Sequence, residues 1–294
     1  MNKLTPAKRA AVLSCLVDGV SIRATSRVTG VAKGTILRLL ASAGTVCAEY
    51  QDAILRNLPC RRIQADEIWS FVYGKDRNIP FEVRQSSPFM IGSVWTWTAI
   101  DADTKLMVSW YVGERSAGAA AEFARDLASR LTRRIQLTTD GYRFYVNAVE
   151  EAFGPDIDYA MLTKLYGSSG NGKSAEIRYS PGRITGTDVE RIMGEPDEAH
   201  ISTSYVERQN LTMRMSMRRF TRLTNGFSKK FENHCHAISL HMFWYNFIRV
   251  HQTLHETPAM ASGVTDHLWS MADLVGLIES RESLATGVWS SGVT

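Results

Sequence analysis

The sequence has 294 residues, 44% hydrophobic and 22% charged, with a formal net charge of +4 and a pI near 8.9. These proportions exclude a disordered or fibrous chain and leave room for one large globular domain beside a small one. No apolar run approaches the length of a membrane span, and Cys15, Cys47, Cys60 and Cys235 form no C-x-x-C pair, so a spanning helix, a disulfide framework and a cysteine zinc site are all excluded and a cytoplasmic protein is expected.

Residues 1–44 are predicted to form three short helices. Thr5-Pro6 opens the first and Asp18-Gly19 stops it; Ser21 caps a second that runs to about Val28. Thr29-Gly30-Val31 makes the turn into a third, which is expected to end at Gly44. A supporting helix followed by two helices around a glycine turn is the helix-turn-helix pattern, with Lys33, Gly34, Thr35 and Arg38 facing a DNA major groove. Seven basic residues stand here against a single Asp18, which suits a nucleic-acid ligand. Residues 45–62 read as a linker with room for a short helix over Val46–Leu55, closed by Pro59.

The pattern then changes. Strands are predicted at Ile63–Tyr73, Met90–Ile100 and Lys105–Val112, followed by a helix from Ser116 to Leu131. A fourth strand, Arg134–Thr139, ends at Asp140-Gly141; a helix over Tyr142–Phe153 and a fifth strand over Tyr159–Tyr166 follow. Residues 167–200 read as a polar, glycine-rich loop. Residues 202–222 are predicted as a helix on which Glu207, Arg214 and Arg218 return to one face, with Arg208, Arg219 and Arg222 extending the basic block. Ser204-x-x-Glu207 also matches a capping box, which would engage the same carboxylate. A last long helix is predicted over Phe227–Val250, and 251–294 read as a weakly patterned tail. Three hairpin-like strands, then helix–strand–helix–strand and a helix, is the order of the ribonuclease-H-like fold: a five-stranded mixed sheet with helices on both faces, here over residues 63–250.

In that topology the first and fourth strands are neighbours and the late helix crosses them, so Asp66, Asp140 and Glu207 are expected to converge. Such an oxygen-rich cluster suits two divalent ions, Mg2+ or Mn2+, about 3.5–4 Å apart, acting on a phosphodiester. Strand alternation places Glu67 on the face opposite Asp66, and Asp66 is preferred as the ligand.

Asp66-Glu67-Ile68-Trp69-Ser70, Thr139-Asp140-Gly141-Tyr142, Arg178-Tyr179-Ser180-Pro181 and Glu207-Arg208-x-Asn210-Leu211-x-x-Arg214 together resemble the blocks of the insertion sequence 1 family of bacterial DDE transposases. Trp244-Tyr245-Asn246-Phe247-x-x-x-His251-x-x-Leu254 resembles the segment after the catalytic helix in related integrase-core enzymes. The resemblance implies a catalytic, metal-binding triad of Asp66, Asp140 and Glu207, with Arg214 in the place of the signature's basic residue. It further implies cutting and joining at transposon ends, double-stranded DNA as partner (terminal inverted repeats and target), a homodimer or higher assembly, and a nucleoid-associated location in a bacterial cell. Some members carry an N-terminal cysteine zinc finger, which this sequence lacks. A catalytically silent DNA-binding regulator with the same fold is the alternative. Gly167-x-x-x-x-Gly172-Lys173-Ser174 matches a phosphate-binding loop, but the residues after it, stopped by Pro181, do not read as the helix such a loop must open; Lys173 is instead expected to touch DNA phosphates.

Overall fold

The computed structural model describes residues 3–87, 90–167, 184–221 and 225–286. Three N-terminal helices, α1 (Pro6–Val17), α2 (Ile22–Thr29) and α3 (Lys33–Ile54), precede the sheet. Thr5 and Ser21 cap α1 and α2 by accepting the amides of Lys8 and Ala24. Gly30 ends α2 in the left-handed region at φ 72°, and the chain turns through 111° into α3. Helix α3 does not stop at Gly44 but runs ten residues further, through the stretch expected as a linker. Gly44 has a packing reason instead: a Cβ there would lie 2.4 Å from the Cα of His236, so its absence lets the two helix backbones touch. Among the described residues no single helix is long and apolar enough to cross a membrane.

The sheet has six strands: β1 (Arg62–Val72), β2 (Gly92–Asp101), β3 (Met107–Gly113), β4 (Ile135–Thr139), β5 (Ile157–Tyr166) and β6 (Ile184–Met193). A short helix α4 (Phe81–Ser86) precedes β2. The spatial order is β3-β2-β1-β4-β5-β6, with β1–β4 and β4–β5 parallel and the other pairs antiparallel. The sixth strand corrects the expected five. It comes from the segment read as a loop and adds to the free edge of β5 with mostly exposed residues, so it lacks the apolar alternation that marks a half-buried strand.

Helices α5 (Ala117–Ser129) and α6 (Phe144–Phe153) cover one face, where Trp97 on β2 packs edge-on to Tyr145 at 5.3 Å and against Phe123 at 6.0 Å. Trp97 is fully buried, which makes it a core residue. On the other face lie α7 (Ser204–Ser216) and α8 (Phe231–Phe243), which continues as a π-helical turn over Trp244–Ile248. Asn246 in that turn clamps the backbone of Met107 on β3 from both sides, accepting its amide at 2.9 Å and donating to its carbonyl at 3.0 Å.

The described part of the predicted tail, residues 251–286, contributes to the core. Helix α9 (Pro258–Ala261) leads to α10 (Met271–Thr286), whose Leu274, Val275 and Ile278 are buried. Trp269 packs among Tyr50, Phe243 and Phe247. Arg9 of α1 forms a two-pronged ion pair with Glu282, and Arg281 another with Glu49. The signals were present in Ser270-x-x-Asp273, a reciprocal cap in which each residue bonds the other's amide, and in the apolar spacing after it.

Candidate active site

The parallel pairing of β1 with β4 ends at Ala65 opposite Thr139. One residue further along each chain stand Asp66, within β1, and Asp140, just past the carboxyl end of β4, so the register itself sets the two carboxylates side by side where the parallel pairing stops. Glu67 joins them: ligand oxygens of Asp66, Glu67 and Asp140 lie within 4.8 Å of one another. Asp66 faces α7 and Glu67 faces α6, but both reach Asp140 because β4 has already ended.

Each carboxylate is held. Asp66 accepts the amide of Glu67 at 2.8 Å and the Asn210 side-chain amide at 2.8 Å. Asp140 accepts the amide of Tyr142 at 3.1 Å. Glu67 accepts Arg115 Nε at 2.5 Å and the Tyr145 hydroxyl at 3.2 Å. The Arg115 guanidinium also approaches Asp140 to 3.9 Å and lies between the rings of Tyr142 and Trp95, at 3.9 and 4.8 Å. Burial pushes the Asp66 carboxyl up to about 6, and the charges of Asp140 and Glu207 act in the same direction. Burial and then the Asp140 charge raise Glu67, against the pull of Arg115. Burial also raises Asp140. Three neighbouring carboxyls raised together mark negative charge that Arg115 compensates only in part, which is how an all-oxygen cation site looks from its protein side.

Glu207 lies near this cluster without joining its oxygens. Lys164 on β5 donates to both of its carboxylate oxygens, and Thr203 donates to Oε1 at 2.7 Å. The expected cap by Ser204 is corrected. Ser204 is the first helical residue, and its amide bonds Ser202 Oγ. Gln64 of β1 satisfies the next two amides, accepting Tyr205 N at 2.8 Å and Val206 N at 3.2 Å. The helix is therefore capped by the strand it crosses. Its sheet-facing stripe is Val206, Asn210 and Met213, all buried, whereas Leu211 points outward.

The basic ridge is shorter than the sequence suggested. Helix α7 ends at Ser216; Met217 is extended, and Arg218 and Arg219 belong to a separate 3-10 turn. Arg208 and Arg218 are exposed and Arg214 is half-buried. Arg219 turns inward, donating to Ser228 Oγ at 2.7 Å, and burial lowers its pKa to about 10. Lys33 and Arg38 are exposed at the start of α3, and Arg38 donates to Thr35 Oγ1 at 3.2 Å. Lys173, Arg222 and the resemblance block at 178–181 lie outside the described residues. Strand alternation set Glu67 aside, and no sequence signal pointed to Arg115, Lys164 or Gln64. Asn210 was within reach, since it stands three residues beyond Glu207 on the same helical face.

No protein-family model and no curated protein matches the sequence. Among solved structures, the cryo-EM structure of a piggyBac transposase synaptic complex with hairpin DNA is similar at 12% identity and a TM-score of 0.31, over 79% of this chain and 55% of that one. The crystal structure of the Mos1 strand transfer complex is similar at 11% identity and a TM-score of 0.22, over 83% of this chain and 76% of that one. This chain thus spans about half the length of the piggyBac chain.

Proposed function

We infer that this protein is a DDE-type DNA transposase that cuts and joins phosphodiesters at the ends of a mobile element. The observation that carries the reading is the placement of Asp66 and Asp140 one residue past the paired ends of two parallel strands, with Glu207 on the helix that crosses them. The strand order β3-β2-β1-β4-β5, antiparallel then parallel, supports a ribonuclease-H-like core. The 111° turn between α2 and α3 supports a helix-turn-helix, with Lys33, Thr35 and Arg38 toward DNA.

Asp66, Asp140 and Glu207 are the residues that would hold Mg2+ or Mn2+, with Glu67 beside the first two and Glu207 set apart on Lys164; four carboxylates supply enough oxygen donors for two ions. Bound there, the cations supply Lewis acidity to the phosphoryl group and lower the pKa of an attacking water or 3′-hydroxyl. The protein's own part is orientation. Asn210 and the Glu67 amide fix the Asp66 carboxylate, the Tyr142 amide fixes Asp140, and Arg115 holds the Glu67 carboxyl in place. Arg208, Arg214 and Arg218 would lie along the DNA backbone. The synapsis of two ends calls for a homodimer or higher assembly.

One observation favours the catalytically silent alternative: Lys164 already neutralises Glu207. The two readings separate on one variant. Asp140→Asn is expected to abolish Mg2+-dependent nicking and strand transfer, by about a thousandfold or more, while affinity for inverted-repeat DNA stays within about twofold. A purified wild-type protein that binds DNA but never nicks it, with either Mg2+ or Mn2+, would leave the regulator.

A further inference from the structure

The two basic blocks of the sequence meet in space. Where α1–α3 adjoin the segment after α7, a cleft of about 920 Å3 opens, within the roughly 300–1,000 Å3 of small-ligand sites. Arg23, Lys33, Arg218, Arg219 and Lys229 line it, and among the described lining residues there is neither Asp nor Glu. Four of these cations are exposed at the surface; Arg219 is turned inward onto Ser228. The inner wall is apolar, with Leu16, Leu37, Leu40, Phe227 and Leu240.

His241 lines the same cleft. It is 1% exposed, and neither ring nitrogen has a hydrogen-bond partner among the described residues. Burial, followed by the charge of Arg249, pushes its pKa down to about 3, so the imidazole is neutral and offers one donor and one acceptor. A buried ring with both nitrogens unpaired costs stability unless something else satisfies it. The cleft therefore asks for three things in one ligand: an anion for the rim, a flat apolar body for the wall, and a polar edge for His241.

An unstacked nucleotide has all three. A duplex has the phosphates but keeps its base faces stacked inside. We propose that this cleft takes one unpaired nucleotide of a DNA strand, its phosphate against Arg23, Lys33, Arg218 and Lys229, its base against the leucine wall and its edge on His241. The placement suits a strand leaving the acid cluster. Gly19, at the turn between α1 and α2, packs so close to the end of α7 that a Cβ there would lie 3.1 Å from the carbonyl oxygen of Ser216. The cleft thus adjoins the far end of the helix that carries Glu207, roughly 15 Å further along its axis.

The inference rests on the DNA-binding half of the proposed function and not on catalysis, so it is tested in EDTA. The probes are a blunt duplex and the same duplex with a single-stranded 3′ overhang carrying 2-aminopurine, with affinity read by anisotropy and unstacking by 2-aminopurine fluorescence. The wild-type protein is expected to bind the overhang substrate about tenfold more tightly than the blunt one and to change the 2-aminopurine signal. Arg23→Ala with Lys229→Ala should bring that preference below about twofold. His241→Leu, which keeps the wall filled, should lower overhang affinity severalfold while the urea midpoint stays the same or rises. Equal affinity for the two substrates, or an equal loss on both in the double variant, would overturn the proposal. Displacement of the overhang by micromolar dAMP would overturn it in favour of a free mononucleotide, whereas resistance to millimolar dAMP supports a strand. A protein that nicks DNA with Mg2+ yet shows no overhang preference loses only the cleft; one that binds neither substrate loses the reading beneath it.

Discussion

Asp66 is stabilised by two hydrogen bonds and still has its carboxyl raised to about 6, because burial and the neighbouring Asp140 and Glu207 charges outweigh them. The sign of the consequence follows. The unfolded chain gives the same group a pKa near 3.9, so between about pH 4 and pH 6 the folded protein holds a proton that the unfolded chain has lost. The associated stability is complete below about pH 4 and disappears as pH rises through about 6. A shift of that size corresponds to roughly 3 kcal/mol. In EDTA, Asp66→Asn is therefore expected to be more stable than the wild type at pH 7.5 by about 1–3 kcal/mol, the lower figure allowing for one weakened hydrogen bond, and nearly equal to it at pH 4. Urea melts at the two pH values read this directly; a wild-type protein more stable at pH 7.5 would show that its carboxylate is already compensated. Much of this residue's role was legible, since Asp66 stands in a predicted strand and Asp140 ends another. Glu67 was not, because alternation describes a strand flanked on both sides, and here the partner strand stops at Thr139.

Helix α7 shows what sequence patterning can and cannot give for an element. Its existence was readable from the spacing of residues 202–222, though Ser204 proves to be its first helical residue and not its cap. Its cap was not, because the acceptor is Gln64, 141 residues from Tyr205 in the chain. Its end was not, because Met213-Arg214-Met215-Ser216-Met217-Arg218 holds good helix formers and no proline or glycine; what stops it is the tertiary placement of Met217 and Phe220, both buried. Gly44 misled in the opposite sense, since glycine marks helix ends as often as close crossings, and only the neighbouring helix decides. The cap gives a direct test. Gln64→Leu leaves two amides at a buried helix start without an acceptor, and is expected to cost about 1–3 kcal/mol. Gln64→Glu keeps the acceptor and adds a charge at the positive end of the helix, so it should recover most of the loss. Because α7 carries both Glu207 and Asn210, Gln64→Leu should also weaken Mn2+ binding, measured by titration calorimetry, whereas a purely local cap would leave it unchanged.

At the scale of the whole molecule, the small N-terminal unit and the sheet are not arranged as beads on a linker. The stretch expected as a linker is the second half of α3, with Val46 and Cys47 buried and Tyr50 packed on Phe243, Phe247 and Trp269. The segment expected as a tail closes the arrangement, since α10 lies against α1 and α3 while Trp269 reaches the end of α8. The sequence divides these parts because 45–62 and 251–294 show only weak patterning, and nothing local records that the apolar face of α10 is filled by α1 and α3. The consequence is thermodynamic. Elements that share one core unfold together, and a defect in one is felt by all. Leu274→Ala and Ile278→Ala each remove a fully buried side chain and should cost about 2–5 kcal/mol. If α1–α3 and the sheet form one cooperative body, that loss shifts a single urea transition, with far-ultraviolet circular dichroism and tryptophan fluorescence moving together. Separate midpoints, with the tryptophan signal of the sheet unmoved, would instead show that the N-terminal helices fold as an independent module and that α10 belongs to them alone.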